Sequence, residues 1–436
     1  MHTFDLDLDR ITKVEGSASL SLKVVNDKVQ EVHFGIVDYK RFYTQAIQGK
    51  PLIAVPQLVA RICGTCSNAH LLCSIEAGER ALGITPTPQT LLLRTLTMYG
   101  LMIRDHALHL YLFSMPDLFG KDAFLDFDEN DPVQHQLLHD AFEIKAAGNF
   151  LAMLVAGRSV HAPYPMIGGF SHFPEAAGIK EALAKLEAIR PAVIRLIKVY
   201  QEAPFHFDRQ TNFMALVPER YGFLNGKICD NRGCIIEEQA LREHLEHVVL
   251  PYSQASAYTY KGEPYMVGSL ARMNLASDKL HPRTREELKG TLELFPSTDI
   301  YHNNLAQAIE ILHSVDDAAE ILTGAQFNPE PVIKGTPREA VGVGVVEAPR
   351  GTLYHKYHLH PDGNVVEGEI VVPTGQNQIN IEEDIRRLVQ DLLPDTPKEE
   401  IAHEIEKLIR AYDPCMSCAA HFLKIDWREG RLAART

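Results

Sequence analysis

The chain contains one tryptophan in 436 residues, and its three aromatic residue types together make 8%. So thin an aromatic set announces no stacking module. Positive charge is also in deficit: 43 Lys+Arg stand against 57 Asp+Glu, a formal net charge of −14. That balance disfavours the broad basic footprint that nucleic-acid binding needs. Seven cysteines are odd in number and too sparse for a disulfide-stapled secreted chain. There is no glycine-rich dinucleotide fingerprint. No uninterrupted apolar run reaches transmembrane length, because the most hydrophobic stretch, 91–115, carries Arg94, Arg104, Asp105, His106 and His109. The first residues, MHTFDLDLDR, are acidic and lack the basic and apolar regions of a secretion signal. The expectation from these absences is a cytoplasmic protein that binds no nucleic acid and meets a membrane only through partners.

What is present is a chain that is 45% hydrophobic, enough for a sizeable core. Residues 17–25 alternate and favour β-branched side chains, Asn26-Asp27 is a turn candidate, and 29–34 returns as a second strand, giving an N-terminal β-segment over about residues 10–40. From 56 the apolar period becomes helical, and Gly83 with Pro86 and Pro88 ends that helix. A long buried helix is expected over 88–113, stopped by Pro116, with others over 132–156, 175–200, 237–249, 303–322 and 396–411. Several glycines, β-branched residues and the turn at Pro361-Asp362-Gly363 make 341–372 read as an irregular β-region. The expected fold class is α-rich α+β, a large helical body with small peripheral β-elements.

Four cysteines form two Cys-x-x-Cys pairs near opposite ends, Cys63/Cys66 and Cys415/Cys418. Three chemistries compete for them. A redox dithiol needs one pair near a helix start and leaves the other unemployed. Structural zinc uses all four thiolates in a closed tetrahedron, although such sites usually stabilise small modules rather than a chain with this much core. A buried transition-metal centre uses soft thiolates as terminal or bridging ligands, and it needs polar neighbours to tune the sulfurs and carry protons. His70, Asp413, His421 and Arg350, in a Glu-Ala-Pro-Arg-Gly segment, supply such neighbours and favour catalysis.

Arg61-Ile62-Cys63-Gly64-Thr65-Cys66, with His70 beyond, resembles the first signature of the large subunit of nickel–iron hydrogenases. Asp413-Pro414-Cys415-Met416-Ser417-Cys418-Ala419-Ala420-His421 resembles the second. Segments RITKVEG, DHALH, GRSVH, VGSLARMN, EAPRGTLYH and VPTGQN extend the resemblance over nearly the full length, and the EAPRG and LARMN forms are most similar to the soluble, cytoplasmic branch. The resemblance implies heterolytic, reversible cleavage of dihydrogen at a nickel–iron centre whose iron carries carbon monoxide and two cyanides. It implies Cys63 and Cys415 as terminal nickel ligands and Cys66 and Cys418 as bridges. Glu15 and the Cys415 thiolate would handle the proton, while Arg350 and Asp105 face the open metal position. Pro373 and Thr374 would line the diatomic-ligand pocket, and His70 would donate to a bridging sulfur. An iron–sulfur small subunit would take the electrons, with further redox subunits beyond it. A maturation chaperone and an endopeptidase would act on the chain, and residues 422–436 resemble the cleaved maturation propeptide that follows a 1–421 domain.

Two departures stand out. Arg41-Phe42-Tyr43-Thr44 places Thr44 where the family has a glutamate, which leaves magnesium or a similar second cation, with His421 as its possible ligand, in doubt. Ser17 stands where a histidine is common. Cys73, Cys229 and Cys234 are expected to be structural thiols, and His106 and His109 core histidines. Asp105 has an alternative reading as a partner of Arg104 or Arg94, and Arg350 as a structural guanidinium bonded to carbonyls. Three other functions compete with the enzyme: a hydrogen-sensing regulatory subunit, the quinone-site subunit of respiratory complex I, and a zinc-stabilised interaction protein.

Overall fold

The computed structural model describes residues 2–39 and 42–420. His421 and the 422–436 extension lie outside the described residues. At the N-terminus, alternation puts Ala18, Leu20, Leu22 and Val24 inward, and strand Ala18–Val25 pairs antiparallel with Phe4–Leu8 on one side and Lys28–Ile36 on the other. Asn26 and Asp27 take left-handed φ values of 52° and 60°, as a two-residue hairpin turn requires.

The helical body comprises Ser67–Leu82, Pro88–Leu108, Pro132–Ala156, Ala176–Gln201, His302–Gly324, Pro373–Leu392 and Lys398–Ala411. Thr87 caps the second of these by accepting from Thr90 N, and Asp131 caps the third by accepting from Val133 N and Gln134 N. Each cap is followed by a proline in the first turn, where its missing N–H costs nothing. Helices Pro88–Leu108 and Pro132–Ala156 cross closely, since a Cβ on Gly148 would stand 2.7 Å from Arg104 N. That crossing carries Arg104 and Asp105 into the interior. One hydrophobic cluster runs from Leu6 in the first strand to Ala420 at the far end.

The sequence expectations fail in three places, each for a physical reason. The 341–372 region is a regular antiparallel sheet, Ala340–Ala348, Gly351–Leu359 and Val365–Val371. Its glycines mark close packing rather than irregularity. A Cβ on Gly342 would lie 2.0 Å from Ala77 O and one on Gly344 2.1 Å from Cys73 O, so the strand rests directly on helix Ser67–Leu82. The 237–249 stretch is a short 3-10 helix, Glu238–His244, followed by strand Leu245–Val249, which pairs with Ser256–Tyr260. Pro116 does not stop the long helix: a wider π-turn, His109–Ser114, leads into Met115–Leu118, and the proline sits in the first turn of that last piece.

Helix Pro373–Leu392 has no counterpart in the sequence reading: the first turns of its inward face are amides, and hydrocarbon (Ile381, Ile385, Leu388, Val389) lines only its second half. Gln376 Nε2 donates to Thr352 O (2.6 Å), Asn377 bonds both the N–H and C=O of Val267 (2.9 and 3.0 Å), and Gln378 Nε2 donates to Phe34 O (2.8 Å). These side chains mimic peptide groups and tie this helix to the N-terminal sheet, the C-terminal sheet and the segment before Ser269–Ala276. Further along, Glu382 accepts from Phe34 N (2.9 Å) and from the Tyr252 hydroxyl (2.8 Å).

Burial pushes the Glu382 carboxyl up to about 7. Folding therefore takes up a proton between the ordinary carboxylate range and that value, and this stabilisation is lost as pH rises through 7. Glu382→Gln keeps an acceptor and is expected to match the wild type at pH 5 but exceed its stability at pH 8 by about 1–3 kcal/mol. Chemical denaturation at the two pH values measures it, and an equal effect at both would contradict the titration.

Candidate metal centre

Cys63 follows the short turn Ala60–Ile62 in extended conformation, and Cys66 is the residue from which helix Ser67–Leu82 starts. No side-chain cap bond engages Cys66; its sulfur faces the sulfur of Cys418 instead. Cys415 starts the short helix Met416–Ala419, and Cys418 lies within it. The fold brings the two pairs together: Cys63 and Cys415 sulfurs are 3.4 Å apart, Cys66 and Cys418 3.1 Å, and Cys415 and Cys418 2.8 Å. All four ligand atoms lie within 4.8 Å of one another, and all four residues are buried.

Burial and the neighbouring sulfurs push the Cys415 thiol well above its ordinary range, and burial does the same to Cys418. Cys63 moves the other way, because the Cys415 and Cys418 thiols donate to it. The protein alone thus supports one thiolate and keeps its partners protonated. Bound metal cations would deprotonate all four, so the donor set fits a thiolate-held metal group. A redox dithiol does not account for two pairs in mutual contact.

The walls of the pocket are polar. Glu15 is joined to the second pair by backbone, Met416 N donating to Glu15 O at 2.9 Å. Its carboxylate accepts from Cys415 Sγ (3.0 Å) and Ser417 N (3.1 Å), with Cys63 Sγ at 3.9 Å. Burial, then the Cys63 charge, raises the Glu15 carboxyl above its ordinary range. Arg350 is ion-paired with Asp105 and with Asp413 (2.9 Å), and its Nε donates to Asp413 O (3.2 Å). Burial alone would favour the neutral guanidine, but the two carboxylates outweigh it and Arg350 stays charged. Asp105 therefore belongs to Arg350, not to Arg94, which pairs with Glu79, nor to Arg104, which donates to Thr65 O. Asp105 Oδ1 and Arg104 Nε have no hydrogen-bond partner among the described residues. A closed zinc knuckle has no use for buried charges and unsatisfied polar atoms beside it, whereas a catalytic centre does.

Thr374 Oγ1 accepts from Cys415 N (2.9 Å), which leaves its own proton free to donate, and the buried Pro373 opens the helix on which Thr374 sits. His70 Nδ1 pairs with His355 Nε2 (3.1 Å); His70 makes no hydrogen bond to sulfur among the described residues. Thr44 is half-buried and bonded to Gln45 (3.0 Å). Cys73 is a buried thiol donating to Gly344 O, and His106 pairs with Glu310 (2.8 Å) in the core. Cys229 and Cys234 lie on a short hairpin and join no ligand cluster among the described residues.

The sequence reading named Asp105 and Asp413 but missed the groups behind them, Gln307 and Arg272. Asp413 adopts a left-handed φ of 52° and is fixed by Gln307 Nε2 (2.9 Å), which is itself bonded to His109 (2.7 Å). Arg272, wholly buried, bonds Glu310 and Glu347 and donates to the carbonyls of Ala348 and Pro349 (3.1 Å each), the two residues before Arg350. The only sequence signal for Arg272 is a charged residue inside the apolar run of LARMN. A second acidic group, His281, Asp317 and Glu320, already has its charge answered by Arg220, 2.8 Å from Asp317 and 3.2 Å from Glu320.

A family model described as nickel-dependent hydrogenase matches residues 43–150 and 236–421. The sulfhydrogenase 2 subunit alpha of Pyrococcus furiosus is 30% identical over 427 residues, spanning 96% of this chain and all of the relative. The sulfhydrogenase 1 subunit alpha of the same organism is 29% identical over 426 residues, covering 96% and 98%. Among solved structures, an NAD+-reducing NiFe-hydrogenase superposes with a TM-score of 0.84 at 25% identity, covering 97% of this chain and 100% of that one. A NiFeSe-hydrogenase of Dm. baculatum shares the fold, with a TM-score of 0.77 at 22% identity over 96% of this chain and 100% of that one. With two cysteine pairs converging on one buried cluster and this match over most of its length, the chain belongs to the nickel-dependent hydrogenases, as a large catalytic subunit.

Proposed function

We propose that this subunit cleaves dihydrogen reversibly at a nickel–iron group held by Cys63, Cys66, Cys415 and Cys418, with carbon monoxide and two cyanides on the iron. The observation that carries the reading is the convergence of four sulfurs in a pocket otherwise walled by Glu15 and Arg350. The bound group supplies heterolytic cleavage; the chain supplies everything around it. Cys415 receives the proton and passes it to Glu15, whose carboxyl is raised by burial and by the Cys63 charge and so accepts a proton more readily than an exposed acid. From Glu15 the polar contacts continue through Ser417, whose hydroxyl donates to the half-exposed Asp38 (2.8 Å). Arg350 would present a fixed positive charge to the bound group, its plane held by Asp105 and Asp413. Pro373 and Thr374 would enclose the diatomic ligands, the Thr374 hydroxyl being free to donate to a cyanide, and His70, whose Nδ1 is taken by His355, would have Nε2 left for a bridging sulfur.

Residues 1–421 form the working unit in this reading, and 422–436 are a maturation extension removed by an endopeptidase after chaperone-assisted insertion. With Thr44 in place of the family's glutamate, a magnesium site of the family kind loses a charged ligand, since a hydroxyl is a weak ligand for a hard cation. Electrons leave to an iron–sulfur small subunit with further redox subunits behind it, which fits the "subunit alpha" in the names of the Pyrococcus relatives. Exposed Val37, Tyr39, Phe42, Ile53 and Leu58, between the N-terminal sheet and the first cysteine pair, suit that docking face. No helix among the described residues is long and apolar enough to cross a membrane, and we place the complex in the cytoplasm. Substantial turnover would separate the enzyme from a regulatory sensor with the same centre.

Infrared spectra of the protein purified with its partners are expected to show carbon monoxide and cyanide bands, with nickel bound and a mass ending at His421. Zinc in place of nickel, and no such bands even after co-expression with maturation proteins, would refute the reading. Glu15→Gln is expected to keep nickel and the infrared bands but lower dihydrogen oxidation about 10²–10⁴-fold; wild-type turnover would remove Glu15 from the proton route. Arg272→Lys loses the grip on Ala348 and Pro349. It is expected to destabilise the fold by about 3–5 kcal/mol, because Glu310 and Glu347 are left poorly paired, and to shift the infrared bands as Arg350 moves. Unshifted bands in a folded variant would confine Arg272 to a structural role.

A further inference from the structure

Away from the sulfur cluster, helix Pro132–Ala156 carries His135 and His139, both exposed, with ring centroids 4.6 Å apart and planes inclined by 66°. Residues four apart on a helix share one face, their Cβ atoms about 5–6 Å apart. Neither imidazole is engaged by another described side chain or backbone group apart from this mutual contact. Two nitrogens bound at about 2.1 Å to one tetrahedral ion stand about 3.4 Å apart, and rings this close reach that spacing by side-chain rotation alone. The backbone beneath them is firmly held. Asp131 caps the helix, Leu137 is buried, and Asp140 is fixed by Arg195 at 2.7 Å. Little ordering is therefore left for a ligand to impose. Asp128, Glu129 and Asp131 before the pair, and Glu143 one turn beyond, make the surroundings attractive to cations.

We propose that His135 and His139 form a chelating surface site for a divalent transition-metal ion. Imidazole donors select zinc, nickel or copper over magnesium or calcium, which require oxygen cages. Water completes the coordination, and affinity follows the order in which copper exceeds both nickel and zinc. The site does not depend on the hydrogenase assignment, since it shares no residue with the sulfur cluster.

The test is calorimetric titration of the untagged mature complex with zinc chloride, and separately nickel chloride, after washing with a chelator that leaves the thiolate-held metal in place. One additional equivalent per chain, released by EDTA, is expected. His139→Ala and His135→Ala should each weaken it at least tenfold while leaving dihydrogen turnover without added metal unchanged. Both side chains are exposed, so the thermal midpoint of the metal-free variants should equal the wild type's. An absent extra equivalent in the wild-type complex, or an undiminished one in the double variant, would overturn the proposal. The second result would place the ion on others of the 20 histidines.

Discussion

Four sulfurs within 4.8 Å of one another, all buried, repel as thiolates and gain little as thiols. Such a cluster is stable only around cations, and the chain must hold it together before the cations arrive. It does so with backbone rather than with the sulfurs. The Glu15 carbonyl takes Met416 N, Thr374 takes Cys415 N, and helix Ser67–Leu82 starts at Cys66. Three remote stretches of chain are fixed by hydrogen bonds that do not change when the cluster's charge does. The sheet on helix Ser67–Leu82 and the amide-lined helix Pro373–Leu392 exist to keep those stretches in register.

The second constraint is the charge above the cluster. Buried ion pairs contribute little to stability compared with hydrocarbon of the same volume, since desolvation consumes most of the attraction. Arg350 with Asp105 and Asp413, and Arg272 with Glu310 and Glu347, are therefore poor choices for holding a core. They make sense as orientation: one guanidinium presented to the pocket at a fixed height, the other gripping the two carbonyls that precede it. The left-handed φ at Asp413 belongs to the same design, a strained residue beside the reacting centre whose side chain is fixed by Gln307.

Much of this was legible in the residues. Helix Pro132–Ala156 could be read to the residue because capping aspartate, proline and final glycine mark both ends. Of the three chemistries open to the two cysteine pairs, two join them in one metal site, and the resemblance carried by their flanking residues chose between those. What escaped was structure made by polar side chains. The first two turns of helix Pro373–Leu392 bury Thr374, Gln376, Asn377, Gln378 and Asn380, and its apolar period, Ile381, Ile385, Leu388 and Val389, starts only beyond them. Gly342 and Gly344 read as signs of an irregular β-region because sequence shows that a side chain is missing, not that a helix backbone occupies its place. Arg272 and Gln307 escaped for a related reason: they act through partners far along the chain, and no local pattern encodes that.

Glu15 shows how these two levels meet. A carboxylate this close to a thiol could be too acidic to accept its proton, or, if buried without donors, too basic to release it. Burial and the Cys63 charge push its pKa up, while the Cys415 thiol and Ser417 N–H stabilise the anion and push it down. The net shift is upward, the direction that helps a carboxylate accept a proton. The same backbone bridge that aligns Glu15 with Cys415 sets both distances, 3.0 and 3.1 Å. Any change that slid one segment along the other would therefore alter the contact with sulfur and the donor to the anion together. Position and acidity are one property of this residue, determined by strand-like pairing between stretches 400 residues apart.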